Sequence, residues 1–425
     1  MVTPLTSPKL AIVGGSPLEG VVRVSGSKNG ADYCVAACLL TGEECVLENV
    51  PDVDDVQRLV EIITILGAEV TRTDDVLRIR ASQIDRYDAP SELVVRSRAS
   101  FLVMGALLGR FGEASSCSPG GDVIGMRPLD VHIEGFRMLG ANVDRSGEQY
   151  RASTPDHGRL RGARLFLDYP SVTGTVNLIF AAVLADGITT IVNGAVEPEI
   201  VSIIEMLNAM GAKISGAGAS ILEIEGVSEL HGVRHRVIPD RLETGLFVLA
   251  AAASRGEAEI QGTEPTHLDS LLYKLREAGV GIEAHEDRLI VSTKDRRFRS
   301  VQAQAVPYPG LATDLHPPFA AFLTQCTGVS VIHERVYENR LLYIGELRKM
   351  GADVITAGQT AIVTGPTRLY GTLVRALDVR AGGSLVLAGL IAEGRTEIID
   401  TYHLDRAHED LVGKLRALGA TVERY

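Results

Sequence analysis

The chain has 425 residues, 45% of them apolar and 23% charged; these are ordinary globular values that exclude whole-chain disorder, a collagen-like fibre and a coiled coil and leave room for two or three domains. Its longest apolar runs, such as Leu246 to Ala253, are eight residues, far short of the ~20 that span a bilayer. Forty-two Lys+Arg against 54 Asp+Glu give a net charge of −12, which repels polyanions and argues against nucleic acid or anionic membranes as partners, though not against a small anionic substrate. Met1 to Pro8 lacks the basic and apolar stretches of an export signal, so a cytoplasmic location is expected. Cys34, Cys38, Cys45, Cys117 and Cys326 form neither a disulfide framework nor a C-x-x-C metal pair and are read as reduced and mostly packed.

Along the chain one marker recurs six times: Leu66-Gly67-Ala68, Leu139-Gly140-Ala141, Met210-Gly211-Ala212, Ala278-Gly279-Val280, Met350-Gly351-Ala352 and Leu418-Gly419-Ala420. The glycines are 73, 71, 68, 72 and 68 residues apart, so six units of about 70 residues nearly exhaust the chain. Before each marker apolar residues fall at helical spacing, as in Val56, Leu59, Val60, Ile63 and Leu66, or Leu268, Leu271, Leu272 and Leu275. The glycine then ends the helix, where a left-handed residue costs least. An alternating strand follows, and in Ala212 to Ile224 a turn and a second strand after it. Upstream, four copies share an Ala-rich helix, a glycine and a short β-rich run, as in Leu184-Ala185-Asp186-Gly187 before Thr190-Ile191-Val192. One unit thus reads helix, strand, loop, helix, strand, strand, and cannot bury its own apolar faces without stacking. Segments that are apolar nearly all round, Ile179 to Leu184 and Leu246 to Ala253, favour two closed bundles of three units, with a boundary near Val237-Ile238-Pro239-Asp240.

Four polar segments stand out. Val24-Ser25-Gly26-Ser27-Lys28-Asn29-Gly30 is a strand-to-helix turn in which exposed amides and a Lys form an anion site, without the spacing of a nucleoside triphosphate cradle. Ser118 to His132 is a Gly-rich loop that places Asp122 five residues before Arg127. Pro307 to Pro318 is a proline-dense, rigid loop presenting Asp314. Asp378-Val379-Arg380-Ala381-Gly382-Gly383 and Tyr402-His403-Leu404-Asp405-Arg406 add two more cations. In an acidic chain, Lys28, Arg127, Arg380 and Arg406 beside glycine-rich turns point to binding of phosphate or carboxylate. The plain alternative for each loop acid is a solvated surface turn.

With these residues assembled, the chain resembles the enolpyruvyl transferases, in particular the branch that acts on UDP-N-acetylglucosamine. The similarity runs from about Leu10 to the C-terminus and rests on Ser25-Gly26-Ser27-Lys28-Asn29, Arg98-Ala99-Ser100, Pro119-Gly120-Gly121, Ile124 to His132, Pro170 to Thr175, Glu197 to Val201, Pro239 to Gly245, Ala312-Thr313-Asp314, Val336 to Arg340 and Tyr402 to Arg406. The resemblance implies an α/β fold of two inside-out barrels, each of three βαβαββ-type units, with residues 22–238 as the first domain and 1–21 plus 239–425 as the second. It implies that a strand at roughly Leu10 to Val21 joins the C-terminal domain. The implied reaction moves the enolpyruvyl group of phosphoenolpyruvate to the 3-hydroxyl of UDP-N-acetylglucosamine and releases phosphate, by addition and elimination through a tetrahedral ketal. Asp314 resembles the base at the sugar hydroxyl, and Lys28, Arg127, Arg380 and Arg406 the clamp on phosphate and carboxylate. Asn29, Arg98, Ser171, Val172 and Val336 match UDP-sugar contacts, as do Pro128, Leu129, Asp130 and Val131 beside Arg127. No metal or organic cofactor is implied.

The sequence departs from the family at Asp122, where most members carry Cys. A carboxylic acid there can serve as the proton donor only if it is kept protonated, by burial or nearby anions. Fosfomycin, an epoxide that alkylates the usual thiol, is then expected to inhibit poorly. Cys117 falls at a strand end and is a poor stand-in. Tyr169 replaces a basic residue near the uridine, and Gly382-Gly383 replaces a small polar pair; both leave room for another acceptor. The alternatives are transfer to shikimate 3-phosphate or another nucleotide, and a non-catalytic UDP-sugar-binding paralogue.

Overall fold

All six marker glycines have positive φ: 111° at Gly67, 94° at Gly140, 104° at Gly211, 100° at Gly279, 97° at Gly351 and 82° at Gly419. Each therefore closes its helix in a conformation that a Cβ disfavours. In the computed structural model, which describes residues 9–294 and 296–425, the repeat is realised as six small sheets. The Met1 to Pro8 segment read above for an export signal lies outside the described residues. In the third repeat Arg164–Phe166 pairs parallel with Ile188–Val192, which pairs antiparallel with Ile221–Glu225, with Lys213–Ser215 at the edge. The others follow the same order, except that in the second a single parallel bridge, Asp88 to Ser115, stands for the first strand.

The chain divides into two compact units: residues 26–121 with 127–238, and residues 9–25 with 122–126 and 239–425. Two details differ from the sequence reading. The first boundary falls after Ser25 and not after Val21, because the strand Glu19–Arg23 pairs along its whole length with Glu257–Gln261. The Asp122–Met126 segment groups with the C-terminal repeats and not with 22–238, because its hydrogen bonds go there, Asn339 N to Ile124 O at 3.0 Å among them. The N-terminal stretch forms two strands. Leu10–Val13 inserts between Arg395–Ile399 and Thr421–Arg424, completing the sixth sheet.

Within each unit the helices lie inside and the sheets outside. In one, Lys28–Ala37, Val103–Phe111 and Val172–Ala182 are almost wholly buried. In the other the same holds for Arg241–Ala253, His316–Leu323 and Val379–Ile391, which pack on one another. Strands show one buried and one exposed face, as in Ile221–Glu225, the pattern of a sheet covering a core from one side. Each large aliphatic or aromatic side chain enclosed this way contributes about 1.5–3 kcal/mol. Among the described residues no helix is long and apolar enough to cross a membrane. The five cysteines are free and buried.

Because the inner helices are buried at their starts, their first-turn amides need partners. Ser27 accepts from Gly30 N at 3.2 Å and Ser171 from Gly174 N at 3.2 Å. Asp240 accepts from Leu242 N and Glu243 N, and Asp378 from Arg380 N and Ala381 N, all within 3.0 Å. These caps fix where Lys28, Val172, Arg241 and Arg380 emerge.

Candidate active site

A cation in the first turn of a helix opposes the helix dipole by about 0.3–1 kcal/mol. Lys28 and Arg380 both sit there, and each is held by carboxylates instead, buried ones at Lys28 and the half-buried Asp314 at Arg380. In the unit of residues 26–121 and 127–238, Lys28 Nζ lies 3.1 Å from Asp32 Oδ2 and 3.0 Å from Asp55 Oδ2, and 3.4 Å from Asn29 Oδ1. The turn Arg98–Leu102 packs on this helix and on Val172–Ala182. Arg98 donates to the Arg127 carbonyl at 2.5 Å and the Pro128 carbonyl at 3.2 Å, tying together the segment Arg127, Pro128, Leu129, Asp130 and Val131. The Arg127 guanidinium folds against Gly121, whose φ of 125° suits glycine and where a Cβ would lie 2.6 Å from Nη2. The Tyr169 hydroxyl donates to Asp130 Oδ1 at 3.1 Å; burial and the neighbouring carboxylate push its pKa up to about 12. The replaced basic residue is thus a neutral donor already engaged by Asp130.

In the other unit, Asp314 is gripped from two sides. Arg340 Nη2 reaches Oδ1 at 2.6 Å and Arg380 Nε reaches Oδ2 at 2.9 Å. Burial alone pushes this carboxyl up, but Arg380 and Arg340 outweigh it and hold the pKa well below the usual carboxylate range. Arg340 is 1% exposed; it also donates to Thr313 Oγ1 at 3.1 Å and lies 3.7 Å from Asp378 Oδ1. Glu334, fully buried, accepts from Thr313 Oγ1, Val336 N and Tyr337 N and meets His316 Nδ1 at 2.9 Å, so Val336 is fixed by its backbone. Asp122 accepts from Arg406 Nη1 at 2.5 Å and stands 4.0 Å from His403 Nδ1.

Of the four cations read from sequence, Lys28 and Arg127 belong to one unit and Arg380 and Arg406 to the other. Sequence reasoning left Arg340 out of the site, because a single Arg in a polar loop looks solvated and only its burial distinguishes it. It also missed Asp378, the cap under Arg380. At the Gly382-Gly383 pair, a Cβ on Gly382 would lie 2.8 Å from Leu404 Cδ2, whereas one on Gly383 would meet Leu246 at an ordinary 3.6 Å.

Paired guanidinium–carboxylate contacts at helix N-termini suit a small polyanionic substrate and proton transfer at carboxyl groups. Comparison with known proteins agrees. Residues 12–415 match the family model for EPSP synthase (3-phosphoshikimate 1-carboxyvinyltransferase), and the chain belongs to this enolpyruvyl transferase family. The chain is 43% identical to UDP-N-acetylglucosamine 1-carboxyvinyltransferase 3 of Caldanaerobacter subterraneus subsp. tengcongensis over 423 residues, 98% of this chain and 99% of that one. It is also 43% identical to UDP-N-acetylglucosamine 1-carboxyvinyltransferase 2 of Bacillus subtilis, covering 98% and 96% of the two chains. Among solved structures it is similar to the enolpyruvyl transferase NikO from Streptomyces tendae, with TM-score 0.89, 26% identity and 99% of each chain covered. An EPSP synthase from Acinetobacter baumannii, at 16% identity and TM-score 0.79 over 99% of this chain and all of the other, shares the fold.

Proposed function

We propose that this chain transfers the enolpyruvyl group of phosphoenolpyruvate to the 3-hydroxyl of UDP-N-acetylglucosamine, releasing inorganic phosphate, as the entry step of peptidoglycan precursor synthesis in the cytoplasm. The observation that carries this reading is 43% identity, sustained over 98% of the chain, to proteins named for that activity. Asp122 is the acid that protonates the methylene carbon of phosphoenolpyruvate. The sugar oxygen then bonds to the neighbouring carbon while Asp314 takes the hydroxyl proton. In the elimination, a methyl proton returns to Asp122, the carbon–carbon double bond re-forms, and phosphate leaves carrying the proton that Asp314 took from the sugar hydroxyl, which regenerates both carboxyl groups. Lys28, Arg127, Arg380 and Arg406 take the phosphate and carboxylate charge, with Arg340 as a further cation at Asp314. Asn29, Arg98, Pro128, Leu129, Asp130, Val131, Ser171, Val172 and Val336 hold the UDP-sugar.

The resting geometry sets two conditions on this scheme. With both Arg340 and Arg380 on it, Asp314 is ionised but a weak base; substrate anion that draws Arg380 away removes one cation and strengthens it. Likewise Arg406, bonded to Asp122 here, must leave that carboxyl before it can take substrate charge. The deciding assay is phosphate release from phosphoenolpyruvate with UDP-N-acetylglucosamine in parallel with shikimate 3-phosphate. Turnover only with the UDP-sugar is expected. Release only with shikimate 3-phosphate, or with neither acceptor, overturns the reading.

A further inference from the structure

The segment Asp122–Met126 is bonded to Arg406 through Asp122 and, at its far end, to one short turn. Glu338 Oε1 accepts from Met126 N at 2.6 Å, and Asn339 N donates to Ile124 O at 3.0 Å. Between those two points sits Gly125, with φ 146°, where a Cβ would lie 2.3 Å from Glu338 Oε2. The Glu338 carboxylate thus occupies space that any side chain at position 125 would take. Val123 and Met126 are 75% and 80% exposed, so their side chains contribute little to holding the segment. The backbone N–H of Met126 holds the Glu338 pKa below the ordinary glutamate value, as expected for an acceptor that works as an anion. The same turn is stiff from below. Glu334 caps Val336 N and Tyr337 N, and Arg340, two residues beyond Glu338, grips Asp314.

We infer that Glu338 is a positioning residue for the proton donor: its carboxylate latches the Met126 amide and so registers Asp122 against the turn whose Arg340 holds Asp314. One heptapeptide, Glu334 to Arg340, then sets both the segment bearing the acid and the carboxylate bearing the base. The catalytic part of this inference rests on the reading of Asp122 as the acid, whereas the latch itself does not.

The test compares Glu338→Ala with Glu338→Gln, each in the full chain. Amide hydrogen exchange is followed in a peptide covering residues 121–128, beside steady-state kinetics of phosphate release. In Glu338→Ala the peptide is expected to exchange about tenfold faster or more, the scale of one charge-assisted hydrogen bond to a backbone amide. kcat falls while KM for UDP-N-acetylglucosamine holds, and the thermal midpoint stays near wild type. Glu338→Gln, which keeps an acceptor oxygen, recovers most of both exchange protection and kcat. Unchanged exchange in Glu338→Ala overturns the latch whatever the activity does. Faster exchange with unchanged kcat overturns the positioning role. A failure of the acid assignment is read separately, as retained turnover in Asp122→Asn, and leaves the exchange result standing.

Discussion

Asp122 and Asp314 are carboxylates in contact with guanidinium groups, yet their surroundings ask different things of them. Asp314 faces two cations, one of them the buried Arg340, whose charge has no route to water. Truncating such a group leaves the carboxylates around it uncompensated, so Arg340→Met is expected to cost about 3–5 kcal/mol in urea denaturation, well beyond a surface ion pair. Asp122 accepts from Arg406 Nη1. Replacing its ionisable oxygen removes the proposed proton donor but keeps its shape. Asp122→Asn is therefore expected to abolish phosphate release while leaving UDP-sugar binding by calorimetry intact, and wild-type turnover in that variant contradicts the assignment. The same residue lacks a nucleophilic thiol, and Cys117 is buried at the end of the strand Glu113–Cys117. Incubation with fosfomycin should thus leave the intact mass of the protein unchanged.

Caps at the inner helices connect local sequence to site geometry. Asp240 and Asp378 each accept two first-turn amides and are nearly buried, so each is worth about 1 kcal/mol or somewhat more relative to Ala. They differ in what stands on the capped turn. Asp378 carries Arg380 and lies 3.7 Å from Arg340, so its loss loosens the pair of cations on Asp314. Comparable losses of denaturation free energy are expected for Asp240→Ala and Asp378→Ala. Only the second should also lower kcat, and equal kcat losses would show that the cap acts through fold stability alone.

At the scale of the molecule, each unit buries a histidine whose charged form it does not accommodate. Burial, reinforced by Arg98, pushes His132 down to about 3; burial, with Arg380 and Lys414 adding to it, does the same to His408. In the unfolded chain both titrate near ~6.5. Protons therefore bind the unfolded state first as pH falls, so stability is intact above about 6.5 and is lost progressively between that value and about 3. Thermal midpoints measured from pH 7.5 to 4.5 should fall, and His132→Gln, whose amide oxygen can still accept from Asn177, should flatten that acid limb. An equal slope in the variant would assign the acid sensitivity elsewhere.

The sixfold repeat was readable in the linear chain because each unit needs a residue at positive φ where its amphipathic helix turns back into a strand, and glycine meets that need most cheaply. The all-apolar runs likewise announced the enclosed inner helices, and Lys28, Asp122, Asp314, Arg380 and Arg406 stood out as charges set in glycine- or proline-rich turns. Periodicity could not reveal the pairing of Leu10–Val13 with strands near the other end of the chain, because strand pairing over that separation leaves no local trace; it came from the family resemblance. Three further features were decided by tertiary structure alone. Arg340 joined the candidate site through burial, Gly382 became a contact point for Leu404, and Asp122–Met126 joined the C-terminal repeats through Glu338 and Asn339. Each depends on which side chains meet across long sequence separations, and that is fixed by packing, not by any pattern within a window of the chain.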